Sequence, residues 1–279
     1  VDNEMLSLIL SLMIAQPQPT QLTVMSFNVR YDNPDDGENA WIHRMTWVAD
    51  EMENADIIGV QEGLNHQVEQ LATELAEYDW VGVGREDGKQ LGEFSPIFFK
   101  SSMFELLGSK TFWLSEERDQ PGSIGWDAAL PRIATTAHLK DKRSGREFLI
   151  INTHFDHRGK VARLRSTELL LQFVKNRIKI PVLLLGDLNL TPDSDAYATL
   201  TKDEIFHDTR TAVISPPLGP IGTFSGFRKQ DNLNEAPRID YIFASHHFII
   251  LSYQAVMSEK NGRYVSDHLP IKVDLKISN

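Results

Sequence analysis

The chain has 279 residues, 41% of them hydrophobic and 24% charged, which is ordinary for a globular protein able to bury a core. Its formal net charge of -11 argues against a protein that tracks nucleic acid non-specifically, because such binding rests on a basic face that neutralises phosphates. There is no cysteine, which excludes disulfides, thiolate metal sites and cysteine nucleophiles and leaves oxygen and imidazole as the only metal ligands.

At the N-terminus, residues 5–15 form a short apolar run ending at Ala15 and followed by Gln16-Pro17-Gln18-Pro19. Residues 1–20 are compatible with a secretory leader, which would place the protein outside the cytoplasm, or with an extension packed on a cytoplasmic protein. No basic region precedes the run, and it is too short for a membrane span. From residue 21 the chain shows no repeat or linker and reads as one domain, 21–279. Strands are expected at 22–29, 57–61, 80–84, 96–100, 104–113, 133–140, 147–152, 182–186, 239–244, 248–255 and 271–276. Three apolar stripes at helical spacing are Trp41, Met45, Val48 and Met52; Leu64, Val68, Leu71, Leu75 and Tyr78; and Val161, Leu164, Leu171, Val174 and Ile178. A fourth, shorter helix is expected after Thr191-Pro192-Asp193, with proline in its first turn. Many strands and few helices give an α/β protein rich in sheet.

Polar residues gather at the ends of these strands. The run Leu183-Leu184-Leu185 stops at Gly186 and then presents Asp187 and Asn189, spaced two apart so that a strand would aim both to one side. Such a pair can orient a water and polarise a transferring group; the alternative is an Asx turn capping the next helix. Asn28 ends the first strand and Glu62 follows the second. Taken alone, Glu62 suits a helix start or a surface position as well as a site. Leu149-Ile150-Ile151-Asn152-Thr153-His154 is another buried run with a polar end, and Arg132 opens the strand after Pro131. The guanidinium matches phosphate oxygens, and a protonated histidine would add a second cationic donor; a surface salt bridge is the alternative for Arg132. Asp240 lies near the start of a strand, and Ser266-Asp267-His268-Leu269-Pro270 leads into the last one. His268 is one of nine histidines, so it gains weight only from Asp267 and the rigid Leu269-Pro270 beside it.

Taken in order, Asn28, Gln61-Glu62, Asn152-Thr153-His154, Gly186-Asp187-Leu188-Asn189, Asp240-Tyr241-Ile242-Phe243 and Ser266-Asp267-His268-Leu269-Pro270 resemble the motifs of the DNase I-like endonuclease/exonuclease/phosphatase superfamily. The resemblance implies a four-layered α/β sandwich, two mixed sheets face to face with helices outside. It further implies a Mg²⁺-dependent phosphoesterase, with Mn²⁺ as a substitute, that attacks a phosphate mono- or diester with an activated water. In that family Glu62 would bind the metal, Asn28 would help position metal or phosphate, and Asp267 would lie near the ion. Asp187 would activate the water, Asn189 would contact the transition state, and Asp240 would orient His268. His154 and Arg132 would hold the scissile phosphate, with Glu93 supporting His154. Arg30 stands where some DNA-repair members carry a further aspartate, so a ligand cage using that carboxylate is not expected.

Four cations follow His154 closely, at Arg158, Lys160, Arg163 and Arg165; they suit either a solvated helix start or a second anionic group of the substrate. Aromatic residues near Trp126 and in Phe224-Ser225-Gly226-Phe227 could frame the site or anchor their own loops. The expected partner is a phosphorylated small molecule or an oligonucleotide, handled by a monomer without integral membrane association. A nuclease of the DNase or repair type, and a catalytically silent binding module on the same scaffold, are the alternatives.

Overall fold

The computed structural model describes residues 21–177, 179–228 and 232–278, so the candidate leader and Ile178 lie outside the described residues. In chain order the elements are β1 (Gln21–Asn28), α1 (Met45–Met52), β2 (Ile57–Gln61), α2 (Asn65–Glu74), β3 (Tyr78–Val81), β4 (Ile97–Lys100), β5 (Phe104–Trp113), β6 (Ile133–Asp141) and β7 (Glu147–His154). The second half continues with α3 (Lys160–Lys175), β8 (Val182–Asp187), α4 (Asp195–Thr201), β9 (His207–Asp208), α5 (Thr209–Ala212), β10 (Asp240–Ala244) and β11 (Phe248–Ala255). A small hairpin of β12 (Glu259–Lys260) and β13 (Arg263–Tyr264) precedes β14 (Ile271–Ile277).

Two six-stranded mixed sheets result, with orders β11-β14-β1-β2-β4-β3 and β5-β6-β7-β8-β10-β9. In each, the two central strands are parallel, β1 with β2 and β7 with β8, and their neighbours are antiparallel. The central strands are apolar throughout because both of their faces are covered. In β8, Leu183 and Leu185 join the core between the sheets, while Val182 and Leu184 pack under α3 and α4. In the first sheet, Val24 and Ile57 face inward, and Met25, Ile58 and Val60 meet α1 and α2. The layering is the expected α/β sandwich.

One polar group crosses the inter-sheet core. The Asn152 amide of β7 donates to Val60 O at 2.7 Å and Pro96 O at 2.8 Å, and its oxygen accepts from Gln61 Nε2 at 2.7 Å. Gly59 makes room for it, since a Cβ there would stand 2.7 Å from the Asn152 oxygen.

Some element bounds and faces differ from expectation. Trp41 lies in a 3-10 turn before α1, and Tyr78 leaves the α2 stripe to begin β3, which ends at Val81 rather than residue 84. Tyr78 is held there by its hydroxyl, which donates to Ala55 O at 2.6 Å. In α3 Leu171 and Val174 are buried as expected, together with Ala162, Ser166, Thr167, Leu169 and Leu170, whereas Val161 is 48% exposed. The Asp127 carboxylate accepts from the Val161 and Ala162 amides, which fixes the rotation of the first turn. Finally, α4 begins after Pro192, capped by the Ser194 hydroxyl accepting from Tyr197 N.

Candidate active site

The carboxyl ends of the two parallel pairs lie at the same end of the sandwich. Asn28 sits opposite Gln61 in the β1–β2 ladder, His154 opposite Asp187 in β7–β8, and Asp240 opposite Asp187 in β10–β8. His154 and Asp187 open onto one cleft of about 660 Å³, lined also by Glu62, Asn189, Arg132, Asp267 and His268, with Asn28 and Asp240 directly behind it and Gln61 turned into the core between the sheets. A Cβ at residue 186 would fall 2.1 Å from Thr153 O, so glycine is required for the β7 and β8 ends to approach this closely. Three residues of the cleft, Arg30 (φ 63), Glu62 (φ 64) and Asn189 (φ 47), occupy the left-handed region. Non-glycine residues there are strained, and such strain concentrates at functional sites.

Asp187 is at the centre and 2% exposed. Its carboxylate accepts from Asn28 Nδ2 at 3.0 Å and from Asn189 N at 3.0 Å, and lies 3.5 Å from His154 Nε2 and 3.7 Å from His268 Nε2. Burial, then the nearby Asp240 charge, pushes the Asp187 carboxyl up to about 7. The Asp187–Asn189 backbone bond is an Asx-type contact, so that alternative and the site coexist in the same residues.

His268 is fixed by Asp240, whose oxygens lie 2.9 and 3.1 Å from Nδ1. With Nδ1 donating to that carboxylate, Nε2 is left facing Asp187. Burial opposes the imidazolium, but Asp240 and then Asp187 outweigh it and hold His268 well above the ordinary histidine range. Behind the dyad, Thr223 was missed in the sequence. Its hydroxyl donates to Asp240 at 2.6 Å and accepts from Ile239 N and Asp240 N. A threonine in a loop carries no signal for this role.

His154 departs from the cationic donor expected from sequence. Burial, then Arg132 and Arg85, holds it well below the usual range, so it is neutral. Asn189 Nδ2 donates to Nε2 at 3.1 Å, placing the ring proton on Nδ1, 3.7 Å from Glu93. Glu93 is held by Arg85 Nη1 at 2.7 Å, a buried arginine that the sequence did not mark. Arg132 is 4% exposed and no surface residue. Nε meets Asp156 at 3.3 Å and Nη2 meets His157 Nδ1 at 3.0 Å, while Nη1 finds no partner among the described residues. A buried guanidinium with a free donor on a cleft wall suits an anion.

Glu62 accepts from Asn28 Nδ2 at 3.0 Å and Tyr31 N at 3.1 Å. Glu62, His154 and Asp187 each offer an atom within 4.8 Å of the others, a group able to hold a metal ion. Asp267 lines the same cleft outside that group, 3.9 Å from Arg30 Nε, and burial raises its carboxyl. The clustered carboxylates of Glu62, Asp187 and Asp267 offer hard oxygens that suit a divalent ion. Asn28 turns its nitrogen towards Glu62 and Asp187, because its oxygen accepts from Arg30 N at 3.0 Å. Arg30 itself pairs with Asp36 at 2.9 Å. Trp126 lies away from the cleft and packs partly buried against the α3 core, whereas Phe224 lines the cleft with its ring 5.0 Å from that of His268.

Solved structures share this fold. An endonuclease/exonuclease/phosphatase from Bacteroides vulgatus superposes with a TM-score of 0.88 at 38% identity, over 93% of this chain and all of that one. The mannosyl-6-phosphatase of Bacteroides thetaiotaomicron gives 0.84 at 35% identity over 91% of this chain and 99% of its own. Rat nocturnin is 26% identical over 196 residues, 65% of this chain; the match spans 44% of nocturnin's length. The sequence profile of the Endonuclease/Exonuclease/phosphatase family matches residues 25–268, and the chain belongs to that family.

Proposed function

We propose that this protein is a Mg²⁺-dependent phosphoesterase that removes phosphate from a small phosphorylated molecule by attack of a water activated at Asp187. The observation that carries the proposal is the placement of Asp187, held by Asn28 and Asn189 with His154 at 3.5 Å and His268 at 3.7 Å. It is a buried carboxyl at about 7, flanked by one imidazole above and one below the ordinary range. Near neutral pH such a carboxylate accepts a water proton readily, as a general base with matched pKa should. Asn28 and the Asn189 amide hold its oxygens in place.

The other groups divide the work. His268, kept protonated and oriented by Asp240, places positive charge where negative charge develops on the phosphoryl group. Arg132, with Nη1 unpartnered among the described residues, receives the phosphate oxygens on the opposite side, and the Asn189–His154 pair shapes that wall. Glu62 would hold Mg²⁺ with Asn28 and Asp267 in support, and the ion would supply neutralising charge to a phosphoryl oxygen. Mn²⁺ fits the same donors.

A phosphate monoester of a sugar is favoured over a polymer by the net charge of -11 and by the likeness to the mannosyl-6-phosphatase. The nuclease alternative keeps one observation, the sequence match to nocturnin. A silent binding module fits poorly, because the proposed acid, base and anion-binding groups meet in one cleft. The test is a screen of hexose phosphates, nucleotides and short oligonucleotides with Mg²⁺ or Mn²⁺. Chelator-sensitive release of inorganic phosphate from a sugar phosphate is expected. Cleavage of oligonucleotides without phosphate release would replace this proposal with the nuclease.

A further inference from the structure

Arg44 is a charged side chain outside the cleft, 1% exposed, and nothing in its sequence surroundings marks it. Its guanidinium makes three hydrogen bonds, all to backbone carbonyls. Nε donates to Asn39 O at 2.5 Å, and Nη1 donates both to Val29 O at 3.0 Å and to Val265 O at 2.7 Å. Val29 follows Asn28 directly, and Val265 immediately precedes Ser266-Asp267-His268. Two loops 236 positions apart in sequence (265 minus 29) are therefore joined at one nitrogen. Ser266 adds a parallel tie, its hydroxyl donating to Asn28 O at 2.7 Å. The guanidinium is wedged between aromatic rings, 5.1 Å from the Phe227 centroid and 5.6 Å from Trp41.

We infer that Arg44 is a positioning residue, a clamp that sets the distance between the Asn28–Arg30 loop and the Asp267–His268 loop and so the spacing of groups across the cleft. Only arginine fits the task. A lysine ammonium has one nitrogen and cannot serve Asn39 O as Nε does while bridging Val29 O and Val265 O as Nη1 does, and apolar residues would leave those carbonyls without donors. Burial disfavours the charged guanidinium, partly offset by Asp267 and Asp36 nearby.

The functional part of the inference rests on the phosphoesterase proposal; the clamp itself does not. The test uses the full chain with Arg44→Ala, which opens a guanidinium-shaped slot between Trp41 and Phe227, and Arg44→Lys, which keeps charge and stem and so protects the fold. Two readouts are taken. Hydrogen exchange should show protection lost in the segments around Val29 and Val265 together, with the central strands unchanged in Arg44→Lys. Turnover of the sugar phosphate should fall on the order of 100-fold in kcat with KM within about threefold, as expected for misplacement of reacting groups. Guanidinium chloride at roughly 20 mM, far below denaturing concentrations, should restore at least about tenfold of the Arg44→Ala rate and leave the wild type unchanged. Loss of protection in one loop only, or a lysine variant with wild-type kcat, would overturn the clamp. So would a folded alanine variant that guanidinium does not rescue. A wild type that releases no phosphate from any ester, with both loops still loosened in the variants, would overturn the phosphoesterase proposal and leave the clamp standing.

Discussion

The strand pairs β1–β2 and β7–β8 hold equivalent central places in their sheets, yet they bring opposite chemistry to the cleft. The first pair delivers Glu62, with Asp267 alongside, a wall of carboxylate oxygens that the Asn28 amide nitrogen ties to Asp187. The second delivers His154 backed by Arg132 and Arg85, a wall of nitrogen donors, and Asp187 stands where the two meet. The difference teaches how one repeated strand geometry can serve two jobs. One side suits a cation, the other suits an anion, and a phosphate ester bridged by a metal ion needs both at once.

The strongest challenge to that division is at its junction. Asp187→Asn should reduce turnover by roughly 10³-fold or more, since it removes the proposed base while keeping the shape. It should also alter stability with a definite sign. The Asp187 carboxyl titrates from 3.8 unfolded to about 7 folded, so between those values the native state holds the extra proton. Native stability therefore falls as pH rises through that window. In chelator, Asp187→Asn should melt higher than the wild type at pH 8 and close to it at pH 4; a lower melting temperature at pH 8 would contradict the burial penalty. His268→Ala should cost on the order of 100-fold in kcat, with Asp240→Asn following it in the same direction. If both retained near-normal rates, the dyad would be structural.

The two walls can then be separated. Glu62→Gln should raise the metal concentration for half-maximal rate about tenfold or more, with a smaller effect on substrate KM. Arg132→Lys should do the reverse, raising KM about tenfold and leaving the metal requirement alone. Should both variants shift the same parameter, the cleft is not divided by charge. The smallest expected effect concerns His154. It is held neutral in the fold, whereas the unfolded chain takes up a proton below 6.5, so this residue destabilises the protein as pH falls through that value. His154→Gln should make the acid limb of a melting-temperature profile shallower.

Much of this was legible in the sequence, for physical reasons that can be named. Leu183-Leu184-Leu185-Gly186 is a strand buried on both faces, and Gly186 marks the contact with Thr153 O that brings Asp187 to the cleft. Asn28 and His154 end apolar runs, whereas Glu62, Asp240 and His268 gain weight only from the ordered set of motifs around them. Arg85, Thr223 and Arg44 were not legible, because their work is done through backbone carbonyls and distant carboxylates set by the tertiary fold. The face of α3 was misjudged because Ser166 and Thr167 are buried while Val161 is not; composition alone favours the reverse. The protonation of His154 depended on Arg85 and Arg132 standing together, which no local pattern reveals.

The Asn152 amide lodged over Gly59 has a consequence for how the protein can vary. Two apolar faces can slip past one another with little change in covered area, so leucine and isoleucine do not by themselves say where one sheet stops against the other. A peg that finds its acceptors at a single offset gives the sliding surfaces a detent. Asn152→Leu keeps the bulk but removes the detent, so its damage falls on uniformity of the molecules more than on their melting point. Some clefts would then be out of gauge in a protein that still counts as folded.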